Sequence, residues 1–170
     1  MFHTAEHNYQ LLVAEIRQVY KESGKECVVV TLSGEISSAI VLCLAVDALG
    51  KECIHCLMMP SHFSTVHSIT DSVQLAEQVE VPYHIIPIDS IYHKFLKELS
   101  PVFGNTPSEP TRENLHTHIR SALLMAYANQ KECLLLLHTT LKGLKDLHET
   151  EVYELVNLLN NEKPRIPLWR

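Results

Sequence analysis

Apolar residues along the chain alternate between two spacings, which predict helices and strands in turn. In residues 6–20 the apolar positions recur every three or four residues, as on the buried face of an amphipathic helix. Residues 27–33 form a short, apolar and β-branched run that is typical of a buried strand. Residues 37–49 are apolar almost all round, which predicts a buried helix that ends at Gly50.

The remaining chain repeats this alternation and predicts a layered fold. Further strands are expected at residues 53–59, 83–87 and 133–140, with helices at residues 66–79, 91–99, 112–129 and 150–160. Residues 101–110 are the longest expected loop, and the proline-rich tail 163–170 cannot continue the last helix. Buried strands alternating with helices indicate an α/β fold, a parallel twisted sheet of about four to five strands with helices on both faces. We expect a single domain over residues 1–170.

Composition narrows the function and the location. A length of 170 residues suits one domain, and a net charge of −6 without a basic run argues against nonspecific nucleic-acid binding. The first ten residues are polar, so no signal peptide is expected, and no apolar run approaches the roughly 20 residues of a membrane span. Five cysteines lie within apolar runs, which favours a cytoplasmic protein with reduced, buried thiols.

The loop after the first predicted strand is a candidate phosphate-binding site. Residues 32–38 read LSGEISS and join the strand to the amino end of a helix. Ligands bind at the carboxyl ends of the strands in such folds, and small residues, hydroxyls and a helix amino end can together hold phosphate. The alternative is a simple turn in which Ser37 or Ser38 caps the helix.

Other cysteines and histidines also suggest chemistry. Cys53 and Cys56 form a C-x-x-C pattern, but zinc requires four ligands and the sequence offers no second pair of this kind, so we interpret both as structural thiols. His138 closes the last predicted strand on the ligand-binding side; its alternative role is that of a helix-capping or surface histidine. His116 and His118 are two residues apart, so on a helix they do not face the same side.

Longer stretches of the chain resemble the NAD synthetase family. The run SGEISSAIVLCLAVDALG is similar to the family's SGGIDS loop and its apolar helix ending in AVDALG, and a strand leading to MPS and an S-x-x-S stretch follow it. The run TRENLHTHIRSALLMAYANQ resembles ENLQARIRGTLLMALSN, and CLLLLHTT resembles LLLTTGNKSE. DLHETEVYELVNLLN resembles GDLYKTQVYELARYL. The likeness extends over residues 6–167, with its parts in the family's order.

This resemblance implies a fold, an activity and a set of binding residues. Family members have the adenine nucleotide alpha hydrolase-like fold of N-type ATP pyrophosphatases, and they adenylylate the carboxylate of nicotinic acid adenine dinucleotide before ammonia displaces AMP. ATP and magnesium are the implied cofactors, and a homodimer is the implied assembly. Matching the motifs assigns nucleotide binding to Ser33, Gly34, Ser37, Ser38, Arg120, Thr140 and Lys142. For Arg120 the alternative is a surface or interface arginine.

The chain departs from the family's motifs at positions that would hold phosphate and metal. Glu35 stands where the phosphate loop has a second glycine, and Ser37 stands at an aspartate that binds magnesium. Leu144 falls at a glutamate that is another metal ligand, the stretch near residues 144–146 is shortened, and the carboxyl-terminal segment is short. We therefore assign no catalytic residue and no metal site, with Glu35 or Asp71 as weak substitute ligands.

These departures lead to three hypotheses for function. The favoured one is an NAD synthetase-like protein that is catalytically impaired or inactive and acts as a dimeric nucleotide-binding or regulatory module. The alternatives are an active ammonia-dependent NAD synthetase and a structural partner of a true synthetase that binds no nucleotide. The resemblance places a dimer interface on the helix that carries Leu115, Ile119 and Leu123, and an intramolecular core is the alternative for this face. The expected partner is a second copy of the chain or an active synthetase.

Overall fold

Helices and strands alternate along the described chain. A computed structural model describes residues 4–104, 106–161 and 166, so most of the predicted tail and residues 1–3 lie outside the described part. The helices are α1 (Ala5–Ser23), α2 (Ile36–Leu49), α3 (Val66–Gln78), α4 (Asp89–Phe103), α5 (Glu109–Lys131), α6 (Lys142–Lys145) and α7 (Glu149–Asn161). The strands are β1 (Val28–Leu32), β2 (Ile54–Met58), β3 (Tyr83–Ile85) and β4 (Leu134–Leu135), and a single 3-10 turn, Lys51–Cys53, precedes β2.

The strands form one parallel sheet in the order β3-β2-β1-β4. In its register, Val28 of β1 lies opposite Ile54 of β2 on one side and opposite Leu134 of β4 on the other. Strands β1 and β2 are largely buried because helices cover both faces of the sheet there, as is usual for parallel sheets, whereas the edge strand β3 is partly exposed. The predicted α/β fold, a parallel Rossmann-like sheet with helices on both faces, is confirmed.

The two faces of the sheet carry separate apolar cores. Val28 and Val30 of β1 belong to a core formed with α1, α2, α3, α6 and α7. Val29, between them, points to the opposite face, whose core includes Tyr92 of α4 and Ile119 of α5. This division follows from the strand geometry, in which successive side chains point to opposite faces.

Helix α2 is the most apolar helix because it is enclosed on several sides. Its residues from Ser38 to Ala45 are all buried, and the helix packs against both β1 and α1. A helix that is apolar all round is expected in such a position. It has only 14 residues, and no helix in the described part of the chain combines the length and hydropathy that crossing a membrane requires.

The connections between the strands place a crevice beside β1. From β1 to β3 the chain crosses over through α2 and α3 on one face, and from β3 to β4 it crosses through α4 and α5 on the other face. The strand order therefore reverses between β1 and β4. In open α/β sheets the carboxyl ends of the strands at such a reversal border the ligand-binding crevice.

One predicted strand and one predicted loop are shorter in the structure, and one helix was not predicted. The strand predicted at residues 133–140 is limited to β4, because the chain turns away from the sheet after it. In this turn the Thr140 hydroxyl accepts a hydrogen bond from the Leu137 N–H at 3.0 Å and donates one to the Leu137 carbonyl at 2.7 Å. The loop predicted at residues 101–110 is shorter, because α4 includes Pro101 and α5 begins at Glu109. The short helix α6 was not predicted.

The prediction that the cysteines are reduced is wrong for one pair. Cys27 and Cys133 form a disulfide, with their Cα atoms 4.6 Å apart. They directly precede β1 and β4, and the register of these neighbouring strands places them side by side. The interpretation of Cys53 and Cys56 as free thiols agrees with the structure, and burial raises the pKa of the Cys56 thiol to about 12.

Candidate functional site

A cavity of about 520 Å³ lies at the carboxyl edge of the sheet, under one side of α5. It is bordered by the segments that follow β1, β2 and β4, which is where the strand order predicts a ligand crevice. Its polar lining comprises Thr31, Ser33, Glu35, Ser68, Ser72, Thr117, Arg120, Ser121 and His138. Methionine, phenylalanine and leucine side chains supply much of the rest. An apolar cleft with a few polar groups is typical of small-molecule sites.

The loop between β1 and α2 is held in one conformation by its small residues. Gly34 has φ of +87°, and a Cβ at this position would lie 2.4 Å from the Cβ of Ser68. The Ser38 hydroxyl donates to the Glu35 carbonyl at 2.7 Å and accepts from the Ser33 N–H at 3.3 Å. Only glycine satisfies both the backbone angle and the close contact.

The amino end of α2 borders the cavity through this loop. Glu35 is the residue that precedes the helix, and its side chain makes no capping hydrogen bond. The alternative prediction, in which Ser37 or Ser38 caps the helix, differs from the structure because both residues lie within the helix. The positive end of the helix dipole therefore lies near the cavity without a side-chain cap from residue 35.

Arg120 is the fixed positive charge of the cavity. It projects from α5 towards the carboxyl end of β2, where its Nε donates to the Met59 carbonyl at 3.1 Å and its Nη2 to the Ser61 hydroxyl at 3.5 Å. Burial lowers the pKa of Arg120, and the negative charges of Glu35 and Asp89 oppose this shift. An arginine remains charged in such surroundings, so the cavity offers a half-buried cation that is already oriented.

The structure brings some of the candidate site residues together and leaves others apart. Ser33, Glu35, Arg120 and His138 line the cavity. Gly34, Ser38 and Asp71 line a small cleft on the other side of the loop, which Glu35 also borders. Ser37, Thr140 and Lys142 line neither space. The Thr140 hydroxyl is engaged in its own turn, and the Lys142 N–H donates to the Glu15 carboxylate at 2.8 Å.

Leu144, at the position of a metal ligand by resemblance, belongs to the core. Its side chain is 6% exposed, belongs to the core that includes α1 and α7 residues, and does not line the cavity. The Glu15 carboxylate accepts the Lys142 N–H and, at 3.1 Å, the Gly143 N–H, which fixes the segment against α1. This tether holds Leu144 in apolar surroundings, where it contributes packing energy and no ligand.

Magnesium finds few ligands in the cavity. Glu35 supplies the one carboxylate among the described lining residues, and Asp71 borders only the adjoining cleft. Magnesium prefers several oxygen ligands in octahedral geometry, commonly carboxylates together with substrate phosphates. The described residues therefore do not provide the set of carboxylates that the family resemblance implies.

Most of the cavity lining was not predicted from the sequence, including Thr117, Ser121, Leu124 and Phe63. Thr117, Ser121 and Leu124 share one face of α5 with Arg120, at helical spacings of three, four and seven residues from Thr117. Once Arg120 was assigned to the site, this spacing could have identified them. Phe63 lies in the loop after β2, and no pattern in the sequence indicated it.

The face of α5 predicted as a dimer interface packs largely inside the chain. Ile119 is 4% exposed and belongs to the core beneath α5. Leu115 and Leu123 are partly buried against the same core. The intramolecular alternative therefore accounts for Ile119, while Met125 on the outer side of the helix is 56% exposed. Dimerisation stays a prediction.

A cluster of aromatic and imidazole rings adjoins the cavity beside Phe63. His116 is 4% exposed and stacks on Tyr92 with ring centroids 4.0 Å apart. Neither of its ring nitrogens has a hydrogen-bond partner among the described residues. The ring centroids of His62 and His116 lie 5.5 Å apart. Nδ1 of His62 is hydrogen-bonded to Oδ1 of Asp89 at 2.7 Å, and this contact lowers the pKa of the Asp89 carboxyl group. Burial first, and the charge of Arg120 second, lower the pKa of His116.

Replacing His116 by phenylalanine should stabilise the chain, most strongly in mild acid. The His116 pKa in the folded state lies below its ordinary value of 6.5, so protonation favours unfolding and stability falls as the pH drops below 6.5. Phenylalanine keeps the stacking and removes the unpaired nitrogens, which cost about 1–2 kcal/mol. Urea unfolding at pH 7.5 and 5.5 measures the difference. The exposed control His118→Phe should show no such gain, and an unstabilised H116F would contradict the unpaired state.

The fold and the cavity together define an α/β protein of the Rossmann-like class, with a glycine-dependent loop and a fixed arginine at the carboxyl edge of its parallel sheet. Residues 8–143 match the family described as NAD synthase. The chain belongs to this family.

Relatives extend the match over almost the whole chain. The glutamine-dependent NAD(+) synthetases of Aquifex aeolicus and Acinetobacter baylyi are 33% and 35% identical to it, over 94% of the chain and 31% and 33% of their own lengths. The structure of the Acinetobacter baumannii glutamine-dependent enzyme with ADP superposes with a TM-score of 0.88 at 33% identity, covering 98% of this chain and 35% of that one. The structure of the NH3-dependent NAD synthetase of Campylobacter jejuni superposes with a TM-score of 0.80 at 26% identity, covering 96% of this chain and 77% of that one. The chain spans about a third of the length of each of these glutamine-dependent relatives.

Proposed function

We propose that the chain binds an adenine nucleotide in the cavity at the carboxyl edge of the sheet and supports little or no synthesis of NAD. One observation carries the proposal: the loop and Arg120 border an open cavity, whereas Leu144 lies in the core. The loop and Arg120, which would hold the nucleotide, border the cavity. Glu35 is the one carboxylate among its described lining residues that could hold a metal ion. A regulatory or binding role follows from this combination.

The geometry favours a phosphorylated ligand. The amino end of α2 and the guanidinium of Arg120 both border the cavity, and each attracts negative charge. The relative from Acinetobacter baumannii, 33% identical, was solved with ADP. In this chain the phosphates would lie near Ser33 and Arg120, and the apolar lining would accommodate the base and ribose.

The Glu35 carboxylate would repel phosphate and so weaken its binding, and the cavity would support adenylyl transfer poorly. Its carboxylate borders the cavity close enough to Arg120 to influence the arginine's pKa. Two like charges about 4 Å apart repel by roughly 1 kcal/mol in water and by about 4 at an intermediate dielectric constant. Adenylyl transfer develops charge on phosphate, and a cavity with few metal ligands cannot neutralise it well.

An active synthetase is the second candidate. Identity of 33–35% over 94% of the chain to glutamine-dependent NAD(+) synthetases favours it. In that case Glu35, with phosphate oxygens and water, would hold the magnesium ion. A structural partner that binds no nucleotide is the third candidate, and it requires a cavity without affinity for ATP.

Equilibrium titration calorimetry with ATP and with ADP, each with and without magnesium, tests nucleotide binding. We expect dissociation constants in the micromolar range that magnesium changes by less than about tenfold, since each tenfold change corresponds to 1.4 kcal/mol. Absence of binding at millimolar nucleotide would favour the structural partner. Binding that depends strictly on magnesium would favour the active synthetase.

Arg120→Ala should weaken ATP binding by about 10–100-fold, because hydrogen bonds to charged groups contribute roughly 1.5–3 kcal/mol each. Arg112→Ala is the matched control, since Arg112 lies on the same helix, pairs with Glu109 and does not line the cavity. Calorimetric titration of both variants gives the comparison. Equal affinities for ATP in the two variants would remove Arg120 from the site.

Glu35→Gly together with Ser37→Asp should raise the affinity for magnesium-ATP. The first change removes a negative side chain from the cavity, and the second adds a carboxylate near the amino end of α2. We expect a gain of about tenfold, the equivalent of roughly 1.4 kcal/mol of relieved repulsion. The single variant Ser37→Asp without the change at Glu35 serves as control. Unchanged affinity in the double variant would show that the loop does not limit the binding of phosphate.

The proposal also includes a cytoplasmic location and self-association. The expected partner is a second copy of the chain, and an active synthetase is the alternative partner. Sedimentation velocity of the purified chain, alone and mixed with an NAD synthetase, distinguishes these assemblies from a monomer. A monomer under both conditions would remove the dimer from the proposal and leave the nucleotide site untouched.

A further inference from the structure

A second group of reactive side chains lies at the edge of the sheet opposite the cavity. Cys27 directly precedes β1, Cys133 directly precedes β4, and His55 is the second residue of β2. Their two sulfur atoms and one ring nitrogen all lie within 4.8 Å of one another. In residues 4–104, 106–161 and 166, no other three cysteine, histidine or carboxylate side chains were found close enough to share a metal ion.

The strand register brings these three residues to one face of the sheet. Val28 lies opposite Leu134, so the residues before them, Cys27 and Cys133, are neighbours. Val29 lies opposite His55 and shares a face with Cys27, because alternate residues of a strand point the same way. The carboxyl-terminal part of α5 packs on this face, and the Tyr127 hydroxyl lies 3.2 Å from Nδ1 of His55.

We propose that the reduced chain binds one zinc ion through Cys27, Cys133 and His55, and that the disulfide is the metal-free, oxidised form of the same site. Thiolate and imidazole are the ligands that zinc takes most often, at about 2.3 and 2.0–2.1 Å. Tetrahedral geometry with these bond lengths separates two ligand atoms by about 3.5–3.8 Å. The three atoms lie within 4.8 Å of one another in the oxidised chain, and reduction frees the two bonded sulfur atoms to move apart to the separation that zinc requires.

The surroundings suit a zinc ion with one open position. Two thiolates balance the charge of the ion, so the partly buried site is neutral overall, which limits the cost of burial. The Lys131 carbonyl oxygen lies 3.4 Å from Sγ of Cys27 and 3.7 Å from Sγ of Cys133. This oxygen or a water molecule can complete four-coordination. Cys27 and His55 are partly exposed, which provides a path for the ion.

Reduction and metal binding are two balanced steps. A dithiol reductant transfers two electrons and two protons to the Cys27–Cys133 bond, giving two thiols, while the reductant closes to its own disulfide. Zinc then replaces the two thiol protons, which are released to water, and takes the neutral imidazole of His55 as its third ligand. A disulfide oxidant reverses these steps: it accepts two electrons from the thiolates and two protons from water to become a dithiol, while the Cys27–Cys133 bond re-forms and the zinc ion is released. The site is therefore independent of the nucleotide cavity and of the function proposed for it.

The test measures zinc bound by the purified chain before and after reduction. The chain is reduced with a dithiol, incubated with zinc and then freed of excess metal. We expect elemental mass spectrometry to find one zinc per reduced chain and none in the oxidised chain treated in the same way. Cys27→Ser and Cys133→Ser should lose this zinc. His55→Ala should weaken binding by more than the ~10–100-fold typical of a residue that only supports a ligand. Cys53→Ser, which changes a free thiol outside the group, should bind zinc normally.

The alkylation rates of cysteines in the reduced chain without substitutions provide a test that does not depend on how the variants fold. Cys27 and Cys53 are both partly exposed, so they form a matched pair of thiols. Zinc should slow the alkylation of Cys27 by at least about tenfold and leave Cys53 unchanged, because a zinc-bound thiolate is a poor free nucleophile. Equal rates at Cys27 with and without zinc, protection of Cys53, or full zinc binding by Cys133→Ser would overturn the proposal.

Discussion

Replacing Leu144 by glutamate should destabilise the chain by about 3–5 kcal/mol, through lost packing and an uncompensated buried charge. Leu144 is 6% exposed and lies in the core on the α1 side of the sheet. The family resemblance assigns a metal-binding glutamate to this position, so the variant restores the expected residue. Because the side chain faces the core and the cavity lies elsewhere, we expect instability without any gain in magnesium-dependent ATP binding. Urea unfolding and calorimetric titration measure the two effects.

Two controls separate charge from location. Lys145→Glu introduces the same residue one position later, where the side chain is exposed, and should change stability by no more than about 0.5 kcal/mol. Leu144→Met nearly conserves volume and should cost less than about 1.5 kcal/mol. If Leu144→Glu were as stable as these controls and bound magnesium-ATP more tightly, Leu144 would face the site and its assignment to the core would be wrong.

Gly34→Ala should cost at least about 2 kcal/mol of stability, since a side chain at positive φ is strained and this one meets backbone as well. The new Cβ would lie 2.4 Å from the Cβ of Ser68 and 2.9 Å from its Cα, so the loop or α3 must move. That movement displaces Ser33 and Glu35 at the edge of the cavity. We expect ATP affinity to fall by about 10–100-fold, equivalent to roughly 1.4–2.8 kcal/mol.

Gly24→Ala is the matched control for the backbone strain. Gly24 also has positive φ, +65°, but a Cβ there meets no described residue within 4 Å. This variant should lose about 1 kcal/mol and bind ATP normally. Adding Ser68→Gly to Gly34→Ala removes the closest contact and should recover part of both losses. If Gly34→Ala behaved like Gly24→Ala in thermal unfolding and in ATP titration, the close approach of the loop to α3 would have no functional role.

The fold could be predicted because its main elements carry strong local signals. The all-round apolar character of α2 and the β-branched run of β1 indicated buried elements, and the structure places both in the interior. Boundaries set by single hydrogen bonds could not be predicted in the same way. The hydroxyl of Thr140 ends β4 early, and Glu15 fixes α6 against α1 from 127 residues away in sequence. Such contacts depend on the assembled fold and leave no periodic pattern.

The candidate site could be predicted in part, for a similar reason. Ser33 and Gly34 lie in the loop directly after β1, which borders the cavity and its adjoining cleft as the strand order predicts for a ligand crevice. The place of Arg120 came from resemblance alone, because a helix sequence does not show which face meets a cavity. The pairing of Cys27 with Cys133, 106 residues apart, follows from strand register, which no local pattern encodes. The same register brings His55 to these sulfur atoms.

The most direct test of the central claim is a search for turnover while nucleotide is bound. The purified chain is incubated with nicotinic acid adenine dinucleotide, ammonia, magnesium and ATP at a concentration that saturates binding by calorimetry, and the amidated dinucleotide is counted by mass spectrometry. We expect no product above the level of a reaction without protein. Product that accumulates over many turnovers, and that Arg120→Ala abolishes, would show that the chain is an active synthetase and would contradict the proposed role as a nucleotide-binding module without turnover.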